Sequence, residues 1–410
     1  MSHVETSPNA AAAPERRDTV PPGTVLIAVL ALLTAIPPLA TDMYLPGFPA
    51  MATELGTSAS NIQLTLTTFL IGLALGQLVI GPLSDNWGRR RPLIVGSAVC
   101  LVAGIAAALA PNIEFLIGAR FVQGFAGAAG VVLARAIISD RASGSTAAKL
   151  FGVMMIIGGV APVIAPLVGG AVVDSIGWRG VFWIISALTA LMLIAAVCFV
   201  QESLPQNSRR AGGLREMLDG IGSVVRNRRY LGYTLSYAFG FSVMFAYISA
   251  SPFVLQNMLG LSAGQYSAAF AANAGGLMLG SAVTAKLSDR VSLHRMLACG
   301  VIAVMATTSA LAVLTFVGIT LWPMLILLFA TVTSLGFVFA NATTLAVEQV
   351  PALAGTGSAV LGALQFGLAA VISPLVGLGG DATAVPMVIA MFFAALMSMS
   401  VLFLVAKKQA

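Results

Sequence analysis

The sequence predicts an all-α membrane protein with twelve transmembrane helices in two pseudo-symmetric six-helix bundles. Three observations carry this reading. Apolar residues make up 58% of the 410 and charged residues only 9%, whereas a soluble domain carries about a quarter charged. Apolar runs long enough to cross a hydrocarbon layer recur at 24–46, 60–80, 92–110, 114–137, 148–171, 180–200, 229–250, 263–285, 295–315, 322–345, 356–377 and 384–405. A span needs about 20 such residues. The two halves also repeat each other. So few charges exclude a water-soluble fold, and so much apolar surface excludes disorder. The runs are continuous rather than alternating, which excludes a lipid-facing β-barrel.

Each segment follows in order. Residues 1–22 are polar, rich in Ala, Pro and charge, and read as a disordered cytoplasmic tail. The first apolar run is too long for a cleaved signal peptide and is followed by many more, so it is retained as a span. Residues 23–200 form the N-terminal six-helix bundle, 201–228 a cytoplasmic central loop with five Arg and a sixth, Arg229, at its edge, and 229–410 the C-terminal bundle. With the N-terminus inside, 19 of the 21 basic residues fall on the cytoplasmic side, Arg135 among them at the connection after the fourth span. Arg179 alone is outside and Arg120 alone lies within a span, so the positive-inside rule decides the orientation. The net charge of +6 therefore reflects topology, and no nucleic-acid partner is indicated. Cys100, Cys198 and Cys299 sit in apolar runs without Cys-x-x-Cys spacing, so neither disulfides nor a metal are expected. No nucleophile elbow, acid cluster or glycine-lysine phosphate loop occurs, which disfavours an enzyme or an ATP-driven pump.

The repeat is visible in two places. Leu83-Ser84-Asp85 recurs as Leu287-Ser288-Asp289, an offset of 204, and Pro166-Leu167-Val168-Gly169 as Pro374-Leu375-Val376-Gly377, an offset of 208. Both matches fall on equivalent spans of a six-plus-six plan. Repeated halves around a midplane cavity are transporter architecture.

Four constellations bear chemistry. In the first span, Pro37-Pro38 remove two backbone donors ahead of Asp42-Met43-Tyr44. Asp42 is the acid placed well inside a span. In the fourth span, Arg120 lies at a similar depth, followed by Gln123-Gly124. An Arg there costs roughly 2.5–3.5 kcal/mol on insertion scales, so it needs a partner or water. The expectation is that Asp42 and Arg120 face one cavity and couple electrostatically, making proton binding state-dependent. The alternatives are that Asp42 only caps the outer end of its helix and that Arg120 snorkels. After the second span, Gly81-Pro82-Leu83-Ser84-Asp85-Asn86-Trp87-Gly88-Arg89-Arg90-Arg91 suits a cytoplasmic gate. Its glycines turn tightly, Asp85 can accept from a helix N-terminus in the other half, and the arginines can pair with Asp140. The arginines alone would also serve topology. In the fifth span, Gly158 to Gly170 carries Pro162, Pro166, Gly169 and Gly170, small and bent enough for close helix contact. Candidates for the cavity are Tyr44, Gln123, Tyr237, Phe241, Asn273, Asn341 and Gln365. Tyr237, Phe241 and Phe245 share one helix side, a spacing that more often reflects packing or lipid contact than a binding wall.

The Gly81–Arg91 loop resembles the signature loop of the major facilitator superfamily, and Arg120-Phe121-Val122-Gln123-Gly124 its second motif. The Gly158–Gly170 stretch resembles the antiporter motif of its drug-efflux members, with Ala165 where Gly is usual. Thr41-Asp42-Met43-Tyr44-Leu45-Pro46, Gln63-Leu64-Thr65-Leu66-Thr67, Phe245-Ala246-Tyr247, Ser251-Pro252-Phe253-Val254 and Ala354-Gly355-Thr356-Gly357-Ser358-Ala359 are similar to the Bcr/CflA branch. The resemblance implies a multi-pass protein of the cell's inner (plasma) membrane with both termini cytoplasmic, working as a monomer. It implies efflux of small drugs of the bicyclomycin or chloramphenicol type by alternating access, in exchange for protons and without a cofactor. The branch also includes metabolite exporters. An uptake permease for an anion should show a second cavity cation, and the sequence offers only Arg120.

Overall fold

The computed structural model describes residues 24–142, 144–206, 209, 214–377, 379–380 and 383–406. The tail expected at 1–22 lies outside them. The described chain is helical: α1 (Thr24–Asp42), α2 (Phe48–Glu54), α3 (Ala59–Trp87), α4 (Arg90–Ala108), α5 (Ile113–Arg141), α6 (Gly144–Phe199), α7 (Leu214–Arg226), α8 (Arg228–Pro252), α9 (Ala263–Leu287), α10 (Leu293–Val317), α11 (Leu321–Glu348), α12 (Ala354–Val376) and α13 (Val385–Ala406). Helix α6 is too long for one span, since 56 residues would reach about 84 Å at 1.5 Å per residue. It breaks at Gly177, whose φ of 75° lies in the left-handed region. Its two limbs, 144–176 and 178–199, complete the twelve expected spans. The helices run past several apolar runs because their polar last turns lie beyond the hydrocarbon. The segment expected as a plain central loop holds α7, which packs on α12 and α8.

One end of the bundle carries Arg89, Arg90, Arg141, Arg228 and Arg290; we call it the basic end. The opposite end carries Glu54, Glu114 and Arg179. There Glu54 ties α2 to α6, accepting from Trp178 Nε1 at 2.7 Å and from Arg179. Arg179 also donates to the Ala110 carbonyl at 3.1 Å.

Close approach of backbones builds each half. In α3, Gly72 and Gly76 lie against backbone atoms of Phe121 and Phe125 in α5, and Gly124 of α5 lies against the Phe69 carbonyl. In the second half, Gly276 and Gly280 of α9 meet Thr333 in α11, and Gly336 meets the Leu277 carbonyl. Gly72 and Gly76 map onto Gly276 and Gly280 at the same offset of 204 read from the loop repeat. The N-caps repeat at that offset too: Ser58 accepts from the Asn61 N–H at 3.3 Å and Ser262 from that of Gln265 at 3.2 Å. Small residues matter because lipid supplies no hydrophobic drive between helices, leaving packing to hold them. In α1, Pro37 has no N–H for the Leu33 carbonyl, which lies instead against Gly130 of α5.

A matched pair on α5 tests this packing. A Cβ on Gly124 would overlap the Phe69 carbonyl, whereas one on Gly118 meets nothing within 4 Å. Gly124→Ala is expected to lower the melting temperature and folded yield in detergent. Gly118→Ala is expected to leave both unchanged or to add up to about 1 kcal/mol.

Candidate functional site

A cavity of about 1100 Å³ lies between the halves. It is walled by α1, α3, α5, the first limb of α6, α8, α9, α11 and α12, with Ile221 of α7 at its margin; α4, α10, α13 and the second limb of α6 contribute nothing. Toward the basic end it reaches Asp85, Arg135 and Thr356. Toward the opposite end it stops at Asp42, Tyr247 and Phe270. Beyond them Met43, Tyr44 and Leu45 are fully buried.

The opposite end is closed by contacts between the halves. Gln256 Nε2 donates to the Pro46 carbonyl at 3.2 Å, and the Phe48 and Phe253 rings sit 6.1 Å apart. Gly170 of α6 lies on Ser267 of α9, and Gly377 lies on Ser60 and Gln63 of α3. Gln63 and Ser267 are again 204 apart. The two seals are therefore near-equivalent: one ends a Pro-Leu-Val-Gly stretch at Gly377 and the other lies one residue past its repeat, at Gly170. Pro162 lines the cavity, whereas Pro166 is buried away from it and Gly169 rests on the Met43 carbonyl inside its own half.

Asp42 lines the cavity with 5% of its surface exposed. Among the described residues no cation lies within ion-pair distance of it. It acts electrostatically on Tyr247 and Tyr266, across the divide in α8 and α9.

Arg120 departs from the expectation. It is fully buried in the N-terminal half and does not line the cavity. Its Nη1 donates to Gln123 Oε1 at 2.6 Å and its Nη2 to the Ala40 carbonyl at 2.8 Å. The guanidinium carbon sits 4.5 Å from the Tyr44 ring centre and 4.2 Å from that of Phe69. Depth along the two helices was read correctly, but helical phase was not: Arg120 turns into the bundle while Asp42 turns out of it. The shared vestibule is corrected accordingly. Snorkelling is also excluded, since the side chain reaches inward to a carbonyl and aromatic faces.

The other cavity candidates divide in the same way. Tyr237, Phe241, Asn273 and Gln365 line the cavity. Tyr237 stacks on Phe241 at 6.2 Å, Phe241 meets Phe245 at 4.8 Å, and Asn273 Nδ2 donates to the Tyr247 hydroxyl at 2.7 Å. Tyr44 and Gln123 are buried around Arg120, and Tyr44 shares a 3.2 Å hydrogen bond with Thr65. Asn341 is buried and donates to the Phe337 carbonyl of its own helix at 2.7 Å. These three do not reach the cavity. Sequence reading missed Gln77, which points inward between apolar neighbours, and Arg135, which it assigned to topology.

The gate loop forms a clasp within the first half. Arg89 donates through Nε to Asp140 Oδ2 at 3.0 Å and through Nη1 to Asp85 Oδ1 at 2.5 Å. Asp85 is thus bonded to Arg89, not to a helix N-terminus across the cavity, and its side chain is half exposed. Arg90 caps the end of α6, donating to the Val200 and Val197 carbonyls at 2.8 and 2.9 Å. Gly81 lines the cavity mouth. Gly88, with φ 88°, ends α3, and any side chain there would collide with Glu202. Glu202 was not singled out in the sequence, although an acid just past a helix end, opposite a basic loop, was the available signal. Its carboxylate accepts from the Arg89 N–H at 2.8 Å and the Arg90 N–H at 3.3 Å, capping α4. Burial works against its charge, but hydrogen bonds from the Arg89, Leu204 and Arg90 N–H groups and the charge of Arg209 outweigh this, holding the carboxyl below the usual Glu value.

Two outcomes follow. Glu202→Ala removes the cap and should cost about 1 kcal/mol, read as a lower melting temperature at pH 7. A depressed carboxyl stabilises fully above its ordinary value, about 4.3, and ceases to as pH falls through the lower folded value. The gap between wild type and variant should therefore close below about pH 4. Arg120→Lys keeps the charge but cannot reach Ala40, Gln123 and two ring faces together. It should lose roughly 2 kcal/mol or more of stability, seen in the same melting experiment.

Known proteins resemble this chain along most of its length. A family model described as Major Facilitator Superfamily matches residues 30–374. The uncharacterized MFS-type transporter YdgK of Bacillus subtilis (strain 168) is 36% identical over 372 residues, covering 90% of this chain and 92% of that protein. The bicyclomycin resistance protein homolog of Haemophilus influenzae is 29% identical over 371 residues, covering 90% and 92%. The chloramphenicol resistance protein of Pseudomonas aeruginosa is 34% identical over 251 residues, covering 60% and 58%. Among solved structures, the nucleoside transporter NupG superposes with a TM-score of 0.72 at 13% identity, over 93% of this chain and 98% of that one. A D-xylose-proton symporter does so with 0.73 at 14%, over 93% and 96%; these two likenesses speak to the fold alone. The chain belongs to the Major Facilitator Superfamily, as a multi-pass membrane transporter among relatives of its drug-efflux branch.

Proposed function

We propose that this chain is a proton-coupled efflux transporter, an antiporter that exports small amphipathic drugs of the chloramphenicol or bicyclomycin type by alternating access. It works as a monomer in the cell's inner (plasma) membrane, with the basic end and both termini in the cytoplasm. The observation that carries the reading is Asp42, an acid on the cavity wall with no cation in ion-pair distance among the described residues. A carboxylate whose surroundings change between wet and closed states changes its proton affinity. The names of the Haemophilus and Pseudomonas relatives support the substrate class.

The described state has its cavity reaching the basic end and its opposite end sealed. Drug enters from the cytoplasm along the Tyr237–Phe241 wall. Rocking of the halves then opens the Gly170–Ser267 and Gly377–Gln63 seals and releases the drug outside, where Asp42 takes up a proton. The return stroke delivers that proton inside. Moving one charge through 100 mV supplies about 2.3 kcal/mol, enough for a roughly fiftyfold gradient of a neutral drug. Arg120 serves as a positioning residue, fixing the Ala40 carbonyl two residues before Asp42.

Reconstitution in liposomes with an internal pH indicator tests this. Wild-type protein should release protons when drug is added, and Asp42→Asn should still bind drug but release none. Unchanged release from Asp42→Asn would overturn the proposal.

A further inference from the structure

Arg135 does not sit in a connection. Helix α5 continues six residues beyond it, to Arg141, which places it about 9 Å inside the helix end. Its side chain is exposed, but to the central cavity, whose wall it forms. There it faces Tyr237 of α8, with which it interacts electrostatically. Among the described residues its guanidinium makes no hydrogen bond and no ion pair.

The other charged cavity residues do not serve as its partner. Asp85 is engaged by Arg89 at 2.5 Å. Asp42 belongs to the far end. Arg120 touches the Ala40 carbonyl at 2.8 Å, so Asp42 lies near the level of Arg120. The fifteen residues from Arg120 to Arg135 then separate the two charges by roughly 22 Å along the axis. The cavity therefore carries a titratable acid at its sealed end and, nearer its mouth, a guanidinium with no ion pair among the described residues. Between them runs an aromatic wall, where Phe241 meets Tyr237 at 6.2 Å, Phe245 at 4.8 Å and Phe366 at 5.5 Å.

An ionisable side chain exposed into a largely apolar cavity inside a membrane bundle is a functional position whose partner can be named. Here the described residues supply none. We propose that Arg135 is an anion-recognition site of the cavity, and that the preferred substrates are amphipathic small molecules carrying a carboxylate. The carboxylate sits on the planar fork of the guanidinium, which suits two parallel hydrogen bonds, and the apolar body lies along Tyr237, Phe241 and Phe366. The exchangeable proton on Asp42 occupies a separate place. The inference deepens the efflux reading and rests on it only in taking this cavity as the substrate path.

The test uses two compounds that share one body, chloramphenicol and its monoanionic succinate ester, in equilibrium binding to purified full-length protein in nanodiscs. Wild-type protein should bind the ester about tenfold more tightly than the parent, a difference of about 1.4 kcal/mol. Arg135→Gln should bring the two affinities together, and Arg135→Lys should keep part of the difference. Because the ratio is taken within each protein, a loss of folded fraction does not imitate the result. Equal affinities in wild type, an unaltered ratio in Arg135→Gln, or binding of neither compound overturns the proposal. Proton release measured on the same preparations separates it from the efflux reading. Release without ester preference removes the anion site and leaves antiport standing, and preference without release does the reverse.

Discussion

A charge inside a bundle solvated by lipid must be satisfied by the protein or put to use by it. The membrane-embedded charges of this chain divide along that line. Arg120 is held by a carbonyl, an amide and aromatic faces, with only its Nε lacking a hydrogen-bond partner among the described residues, and it locks α5 to α1. Asp42 and Arg135 are not satisfied in this way, and both face the cavity. The first kind of charge makes the N-terminal half a rigid body. The second gives that body something to exchange.

Rigid halves are what alternating access requires. The glycine contacts within each half bring backbones into direct touch, leaving little room for internal deformation. Between the halves the contacts are of another sort: two glycine seals, one glutamine bond and one aromatic pair at the sealed end. Opening that end means parting α6 from α9 and α3 from α12 along the faces that pack between the halves. The seals fall within one residue of equivalent positions in the two halves. The clasp of Arg89, Asp140 and Glu202 is internal to the first half, which leaves Asp85 at the cavity mouth.

The fold was legible in the sequence because lipid imposes a length and a polarity on every span. Gly177 was the exception in form only, since one glycine divides a continuous helix into two of the expected spans. The site was half legible. Depth along a helix follows from counting residues, so Asp42 and Arg120 were placed at one level. The direction a side chain faces does not follow when every face of the helix is apolar. Tyr44, Gln123 and Asn341 were misplaced for that reason, and Arg120 with them. Arg135 was hidden differently. Near the end of a span, a functional arginine and a topological one look identical, and only the cavity wall separates them. Glu202 gained its role from the meeting of three helix ends that lie far apart in sequence.

Proton-coupled export turns on whether the carboxyl of Asp42 changes its protonation when substrate arrives. Infrared difference spectroscopy of the reconstituted protein reads this directly, as the carbonyl stretch of a protonated carboxylic acid. Addition of drug should diminish that band in wild-type protein and leave no such change in Asp42→Asn. A drug-induced spectrum with no carboxyl band that depends on Asp42 would contradict the account.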